Sequence, residues 1–287
     1  MSDIILGTAT RQNLLALQHI NTDLGTTQGH LATGLKVSSA LDDAVKFFQS
    51  QSLNNRASDL ALRKDAIDQG ISSLTAASNA TQSAVTVLQQ LQGVLNSAKT
   101  ETASQRKSAA TQFSTLAQQL DTLLNDASYQ GLNLVNSSSS SLTLQFSNST
   151  ASKLTIAGQN LLYSKIVTAG KISKVSNAAK NLVTLGFSAV SNKTSLFDNA
   201  FNALQTAIGK IQAAAASIGG NVTFLQTRLD FTSQYIVTLQ GGASKLTVAD
   251  VNQESTNLVT LQTRQSLAIQ SLSIATQSEQ AVLRLFR

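Results

Sequence analysis

Between Phe201 and Leu239 apolar residues recur at alternating steps of three and four: Phe201, Leu204, Ile208, Ile211, Ala215, Ile218, Val222, Leu225, Leu229, Thr232, Ile236 and Leu239. Thr232 alone is polar. A mean step of 3.5 residues keeps one helix face on a partner helix, so the stripe predicts a long helix over 197–240 with coiled-coil packing. At about 1.5 Å per residue it runs roughly 60 Å, too much side wall for a compact pocket. A second stripe, Leu53, Leu60, Ile67, Leu74, Thr81, Leu88 and Leu95, repeats strictly every seven residues and predicts a helix over 42–98. The pattern stops around Thr100 to Gln105, and Phe113, Leu116, Leu120, Leu123 and Ala127 then predict a shorter helix over 104–128, folded back beside the second.

The two ends are less regular. Residues 3–37 read as an amphipathic helix with Leu14, Leu17, Leu24, Leu31 and Leu35 on one side, weakened by Gly25, Gly29 and Gly34 at about 1 kcal/mol each relative to Ala. Ser38 and Ser39 break it. Asp42 and Asp43 are placed to open the next helix, where carboxylates favour the N-terminal dipole. Gly241-Gly242 is read as a terminator and Gly219-Gly220 as a kink. A last helix follows from about Val248 to Phe286, with Leu258, Leu261, Ala268, Leu272, Ala275, Val282 and Phe286 on one side and Leu267, Ile269, Ile274, Leu283 and Leu285 on others. A helix apolar on several sides needs several neighbours. Both terminal helices are therefore expected to be largely disordered in a lone copy and to order on assembly.

The centre changes character. Tyr129-Gln130-Gly131 ends the third helix, five serines span Ser137 to Ser141, and Leu142-Thr143-Leu144-Gln145-Phe146 then alternates as a half-buried strand does, as does Leu154-Thr155-Ile156. A small β-hairpin is expected, with residues 158–195 a further small β or loop element. The whole is a mainly α protein: a long antiparallel coiled-coil-like bundle with a terminal helix pair and a small β-hairpin in a central insert. Expected domains are 1–41 with 244–287, 42–135 with 195–243, and a short solvent-facing region, 136–194.

Composition narrows the classes. Proline is absent, so nothing interrupts long helices, and cysteine is absent, which excludes disulfides and thiolate metal sites. Charged residues make up 13% against a usual ~25%, leaving Ser, Thr, Asn and Gln to cover the surface. The net charge of +6 is scattered, and the densest basic tract, Lys165, Lys171, Lys174, Lys180 and Lys193, lacks the aromatics that stack on bases, so no nucleic-acid partner is expected. No apolar run approaches 18 residues and Met1 to Asp23 has no secretory signal pattern, so neither membrane insertion nor the common secretion route is expected.

Catalytic chemistry has no foothold. His19 and His30 lie eleven residues apart, roughly 16 Å along a helix, so they cannot share a metal ion and read as polar-face residues. Asp42 and Asp43 are adjacent and diverge by about 100° on a helix, which is no acid-base dyad. Neither glycine pair has the spacing of a phosphate loop. No enzyme activity, metal or cofactor is expected. The serine tract reads as a solvated loop or a site of O-linked sugar, and Asn148-Ser149-Thr150 fits the N-glycan pattern, which arises often by chance in so Ser/Thr-rich a chain.

Thr33-Gly34-Leu35-Lys36-Val37, Ala40-Leu41-Asp42-Asp43-Ala44, Asn55-Arg56 and Gly70-Ile71-Ser72 resemble the N-terminal signature of bacterial flagellins. Leu261-Gln262-Thr263-Arg264-Gln265, Leu272-Ser273-Ile274-Ala275 and Val282-Leu283-Arg284-Leu285-Phe286 resemble the flagellin C-terminus. The resemblance implies a subunit exported unfolded through the flagellum's own channel to an extracellular filament, a homopolymer whose terminal helices pair along the inner tube. It also implies an export apparatus, an export chaperone, and cap and junction proteins as partners. The assembling residues are then expected to be Leu14, Leu17, Leu24, Leu31, Leu35, Leu258, Leu261, Leu267, Leu272, Ile274, Val282, Leu285 and Phe286, with Arg56 a subunit contact or a plain surface cation. Flagellins sensed by the vertebrate innate receptor carry arginines on the second helix; here that stretch reads Gln89-Gln90-Leu91-Gln92-Gly93, with Gln90 at the key position, so recognition does not carry over. Glu279 in place of a common proline, and Gly7 to Thr10 in place of common asparagines, are further departures. The alternatives are the hook-filament junction protein, which shares both ends, and an amphipathic-helical binder of lipid or polymer granules.

Overall fold

The computed structural model describes residues 8–167 and 194–285. In chain order these form α1 (Thr8–Thr33), α2 (Ala44–Ala98), α3 (Ala103–Asp126), β1 (Ser141–Gln145), β2 (Lys153–Ala157), α4 (Tyr163–Ile166), α5 (Thr194–Thr247) and α6 (Val251–Leu285). The expected mainly α fold with one small hairpin is what forms. The chain divides into two compact units, Ser58–Ile236 and Met1–Ala57 with Val237–Arg287, and α2 and α5 contribute to both.

Ser58–Ile236 contains the bundle. Along α2 the heptad positions Leu60, Ile67, Leu74, Thr81, Leu88 and Leu95 are all buried, and along α5 so are Leu204, Ile208, Ile211, Ile218, Leu225 and Thr232. The two threonines that break the stripes are satisfied inside their own helices: Thr81 Oγ1 donates to Ser78 O at 2.7 Å and Thr232 Oγ1 to Arg228 O at 2.8 Å. A buried hydroxyl that returns its hydrogen bond to the preceding turn leaves the seam without an unpaired polar group. Phe201, read from the stripe as a seam residue, is exposed, and Ala203, Ala207 and Ala214 are buried instead. Lys99 Nζ meets Asp198 Oδ1 at 2.8 Å and Gln92 Nε2 donates to Gln205 Oε1 at 3.1 Å. Rising number on α2 against falling number on α5 makes these helices antiparallel.

α3 adds Phe113, Ala117, Leu120 and Leu124 to the same core. It starts where the side-chain carbonyl of Gln105 accepts the Thr102 N–H at 3.0 Å, half of a capping box. Its end is built by a residue the periodicity did not flag: buried Asn133 donates to the carbonyls of Leu124 and Asn125 and accepts the N–H groups of Val135 and Asn136. β1 and β2 pair antiparallel with Leu142 opposite Ile156 and Leu144 opposite Leu154. Leu144 and Ile156 are buried, while Thr143 and Thr155 pair their hydroxyls at 3.3 Å on the outer face. A Cβ at Gly70 of α2 would sit 2.5 Å from Leu144 Cδ1, so any side chain there would force Leu144 to shift. Of residues 158–195, Gly158 to Val167 hold only the single turn α4, whose Tyr163 packs edge-on against Phe113; residues 168–193 lie outside the described residues.

The other unit pairs α1 with α6. Gln265 Nε2 donates to Asn21 Oδ1 at 2.7 Å, and His30 Nδ1 lies 3.4 Å from Glu254 Oε1, so the two helices also run antiparallel. α1 ends at Gly34, whose φ of +70° is the left-handed conformation glycine adopts without a side-chain clash. Gly241-Gly242 does not terminate α5, which continues to Thr247. Two glycines cost about 2 kcal/mol of helix propensity, but buried Leu239 and Ala243 on either side hold the helix in place. The break comes at Val248–Asp250, where Val248 bridges Leu35, the N–H groups of Lys36 and Val37 donate to Thr247 O, and Asp250 Oδ1 accepts from Asn252 and Gln253 at the start of α6.

Candidate functional site

Among the described residues, Val37, Ala57, Leu239, Ala243 and Ala249 are the buried hydrophobics of the α1–α6 unit, and none lies in α1 or α6. The side chains that this helix pair buries are polar: Thr10, Thr27 and Glu254. The seam between the helices is made of half-buried residues, Leu17, Ile20, Leu24 and Leu31 on α1 and Leu258, Leu261, Gln265, Ala268 and Leu272 on α6, at steps of three and four once buried Thr27 is set between Leu24 and Leu31. One narrow seam is what two isolated helices can share.

The remaining apolar side chains are uncovered. Leu14 and Leu15 on α1, and Val251, Val259, Leu267, Ile269 and Ile274 on α6, are exposed, Leu267 at 59% and Ile274 at 61%. Leu15 and Val259 escaped the sequence reading because neither falls on its helix's seam period. Among the residues expected to assemble, the structure therefore separates two groups. Leu17, Leu24, Leu31, Leu258, Leu261 and Leu272 join α1 to α6, and Leu35 is half-buried at the bridge to Val248, whereas Leu14, Leu267 and Ile274 face outward. Phe286 and the side chains of Val282 and Leu285 lie outside the described residues. Arg56 is exposed on α2.

His30 is not a plain polar-face residue: it is half-buried beside the seam, its Nδ1 3.4 Å from Oε1 of buried Glu254 on α6. Among the described residues no cluster of His and acidic groups could hold a metal ion, and no helix is long and apolar enough to cross a membrane.

Asp42 and Asp43 divide the role expected of both. Asp43 Oδ1 accepts the Lys46 N–H at 3.0 Å and caps α2. Asp42 faces backward, its Oδ2 accepting the N–H and hydroxyl of both Ser38 and Ser39 at 2.9 to 3.2 Å. The Ser39 and Ser38 N–H groups hold the Asp42 carboxyl below its ordinary range, and the Lys46 N–H and side chain do the same for Asp43. At the turn's apex Leu41 is 97% exposed.

Two family models match the chain: the bacterial flagellin N-terminal helical region over residues 6–140 and the bacterial flagellin C-terminal helical region over residues 201–286. A flagellin of Brucella melitensis biotype 1 is 25% identical over 287 residues, covering 100% of both chains. The flagellin FljK of Caulobacter vibrioides is 28% identical over 280 residues and 96% of each chain, and flagellin C of Rhizobium meliloti is 26% identical over 100% of each. A solved structure assigned to a flagellar hook-associated protein of Vibrio parahaemolyticus shares the fold, with a TM-score of 0.60 and 15% identity over 72% of this chain and 100% of that one.

Proposed function

The chain belongs to the bacterial flagellin family, whose members are structural subunits of the extracellular flagellar filament, and from that premise we propose how it assembles. Each copy brings a finished bundle and an unfinished helix pair, and the filament completes the pair. One observation carries this: among the described residues, α1 and α6 bury no apolar side chain between them, yet expose Leu14, Leu15, Val251, Val259, Leu267, Ile269 and Ile274. Burying an apolar side chain is worth about 1.5 to 3 kcal/mol. Covering these faces against neighbouring copies is the gain that drives polymerisation.

α1 and α6 are helical and paired within one copy, rather than disordered as their glycines and doubled faces suggest. The pair is held by its half-buried seam alone, so its helices fray in the free subunit and firm up when neighbours arrive. Export through the flagellar apparatus with a dedicated chaperone, and contact with cap and junction proteins, complete the reading, and the chain carries out no catalysis. Purified protein seeded with sheared filament fragments should elongate them, with electron microscopy showing continuous filaments. Failure of the seeded, folded protein to polymerise would overturn the proposal.

A further inference from the structure

Leu41 is nearly fully exposed in a segment that is not loose. Asp42 Oδ2 accepts four hydrogen bonds from Ser38 and Ser39, the Asp42 N–H donates to Ser39 O at 3.2 Å, and the Leu41 N–H donates to Ser39 Oγ at 3.3 Å. Val45 and Phe48 follow at four and seven residues, both exposed, and the Phe48 ring is steadied edge-on against Phe47 at 5.5 Å. A single exposed leucine is unremarkable. Three exposed apolar side chains follow one another on a backbone that the turn and the helix start already hold, so less backbone freedom is left for binding to remove.

The same chain carries an open groove between α2 and α3. One stretch, of about 700 Å³, has Val94 and Leu116 in its floor; another, of about 600 Å³, has Ala76, Ala80, Leu123 and Ala127, and Gln119 lines both. Both stretches are shallow and open to solvent along the helices, so they offer a lengthwise track rather than an enclosed pocket. The rims are Ser, Thr, Asn and Gln apart from Asp126.

We propose that Leu41, Val45 and Phe48 form a knob that seats in the α2–α3 groove of a neighbouring copy. This rests on the filament reading and adds the partner surface. The occupant is a second copy because the knob is built onto the terminal helix pair: Lys36 and Val37 donate to Thr247 O, Ala249 donates to Gly34 O, and Val37 is buried. Packing that pair against another subunit carries the knob to the same neighbour. A patch that fits a different surface of an identical molecule makes a heterologous contact, which propagates into a helix instead of closing a dimer.

The chain has no cysteine, so introduced thiols report without background. Leu41→Cys is combined with Ser83→Cys in one variant and with Thr115→Cys in another, and each is polymerised and oxidised with copper-phenanthroline. A disulfide between copies in filaments, absent from dilute subunits, is expected for one pair, and which pair reacts sets the level of the contact. Three results would overturn the proposal: filaments without a cross-link in either variant, a cross-link in dilute subunits, or a cross-link that joins only the Leu41→Cys thiols of two copies to each other. In parallel, Leu41→Asp should leave subunit helicity unchanged and raise the critical concentration about tenfold or more, as loss of one buried leucine implies; an unchanged critical concentration contradicts the knob. Absence of filaments from the cysteine-free parent would instead count against the filament reading itself.

Discussion

Leucines of identical chemistry should fail in opposite assays when shortened at two positions. Leu88 is fully buried in the bundle, touching the core that α3 and α5 share with α2. Leu88→Ala removes its transfer energy and leaves a cavity, a cost of about 2 to 5 kcal/mol, and should lower the denaturant midpoint of the subunit by that much. Leu267 is 59% exposed, so in the subunit Leu267→Ala forfeits less than half of a burial worth about 1.5 to 3 kcal/mol, roughly 1 kcal/mol or less. The exposed share, about 1 to 2 kcal/mol, is collected only in the filament, where its loss should raise the critical concentration roughly fivefold to thirtyfold. Urea unfolding followed by circular dichroism reads the first effect, and sedimentation of polymer against subunit concentration reads the second. Equal loss of subunit stability in the two variants, or an unchanged critical concentration for Leu267→Ala, would refute the division into scaffold and assembly surface.

Gly70→Val should destabilise the bundle unit by about 1 to 3 kcal/mol and open the hairpin to proteolysis between β1 and β2, because its Cβ would meet Leu144 at 2.5 Å; unchanged protection would show that Leu144 can move aside. Asp42 and Asp43 have lowered carboxyl pKa values in the fold, so their contribution is complete above the unfolded value near 4 and is lost as pH falls through the lower folded values. Limited proteolysis of the segment 36–43 should therefore accelerate as pH falls below the ordinary carboxylate range, and Asp42→Asn should blunt that change. Because each copy carries +6, salt, and sulfate above all, should speed assembly through screening and surface exclusion, and salt-independent growth rates would remove repulsion as a factor.

Regular stripes were legible in the sequence where burial is decided by one helix face. Leu60 to Leu95 and Leu204 to Leu225 announced their seams, and the hairpin was visible in the alternation of Leu142 to Phe146. Features set by tertiary contact were not. Gly241-Gly242 reads as a stop locally, but buried Leu239 and Ala243 carry the helix past it, and the real stop depends on the bridge between Leu35 and Val248, more than 200 residues apart in the chain. Asn133 looks like a loop residue until its amide is seen capping α3. His30 and Glu254 carry no pairing signal, since only the antiparallel register of α1 and α6 brings them together. On the terminal helices the stripe marks the half-buried positions, Leu17, Leu24 and Leu258, and is silent on Leu15 and Val259, which lie off it and are exposed.

Hydrogen exchange of the free subunit and of the filament, read segment by segment, tests the central claim most directly. The bundle core around Ile67 to Leu95 and Leu204 to Leu225 should be protected in both states, whereas α1 and α6 should exchange rapidly in the subunit and become protected in the filament. Protection of α1 and α6 in the free subunit equal to that of the bundle would contradict the account.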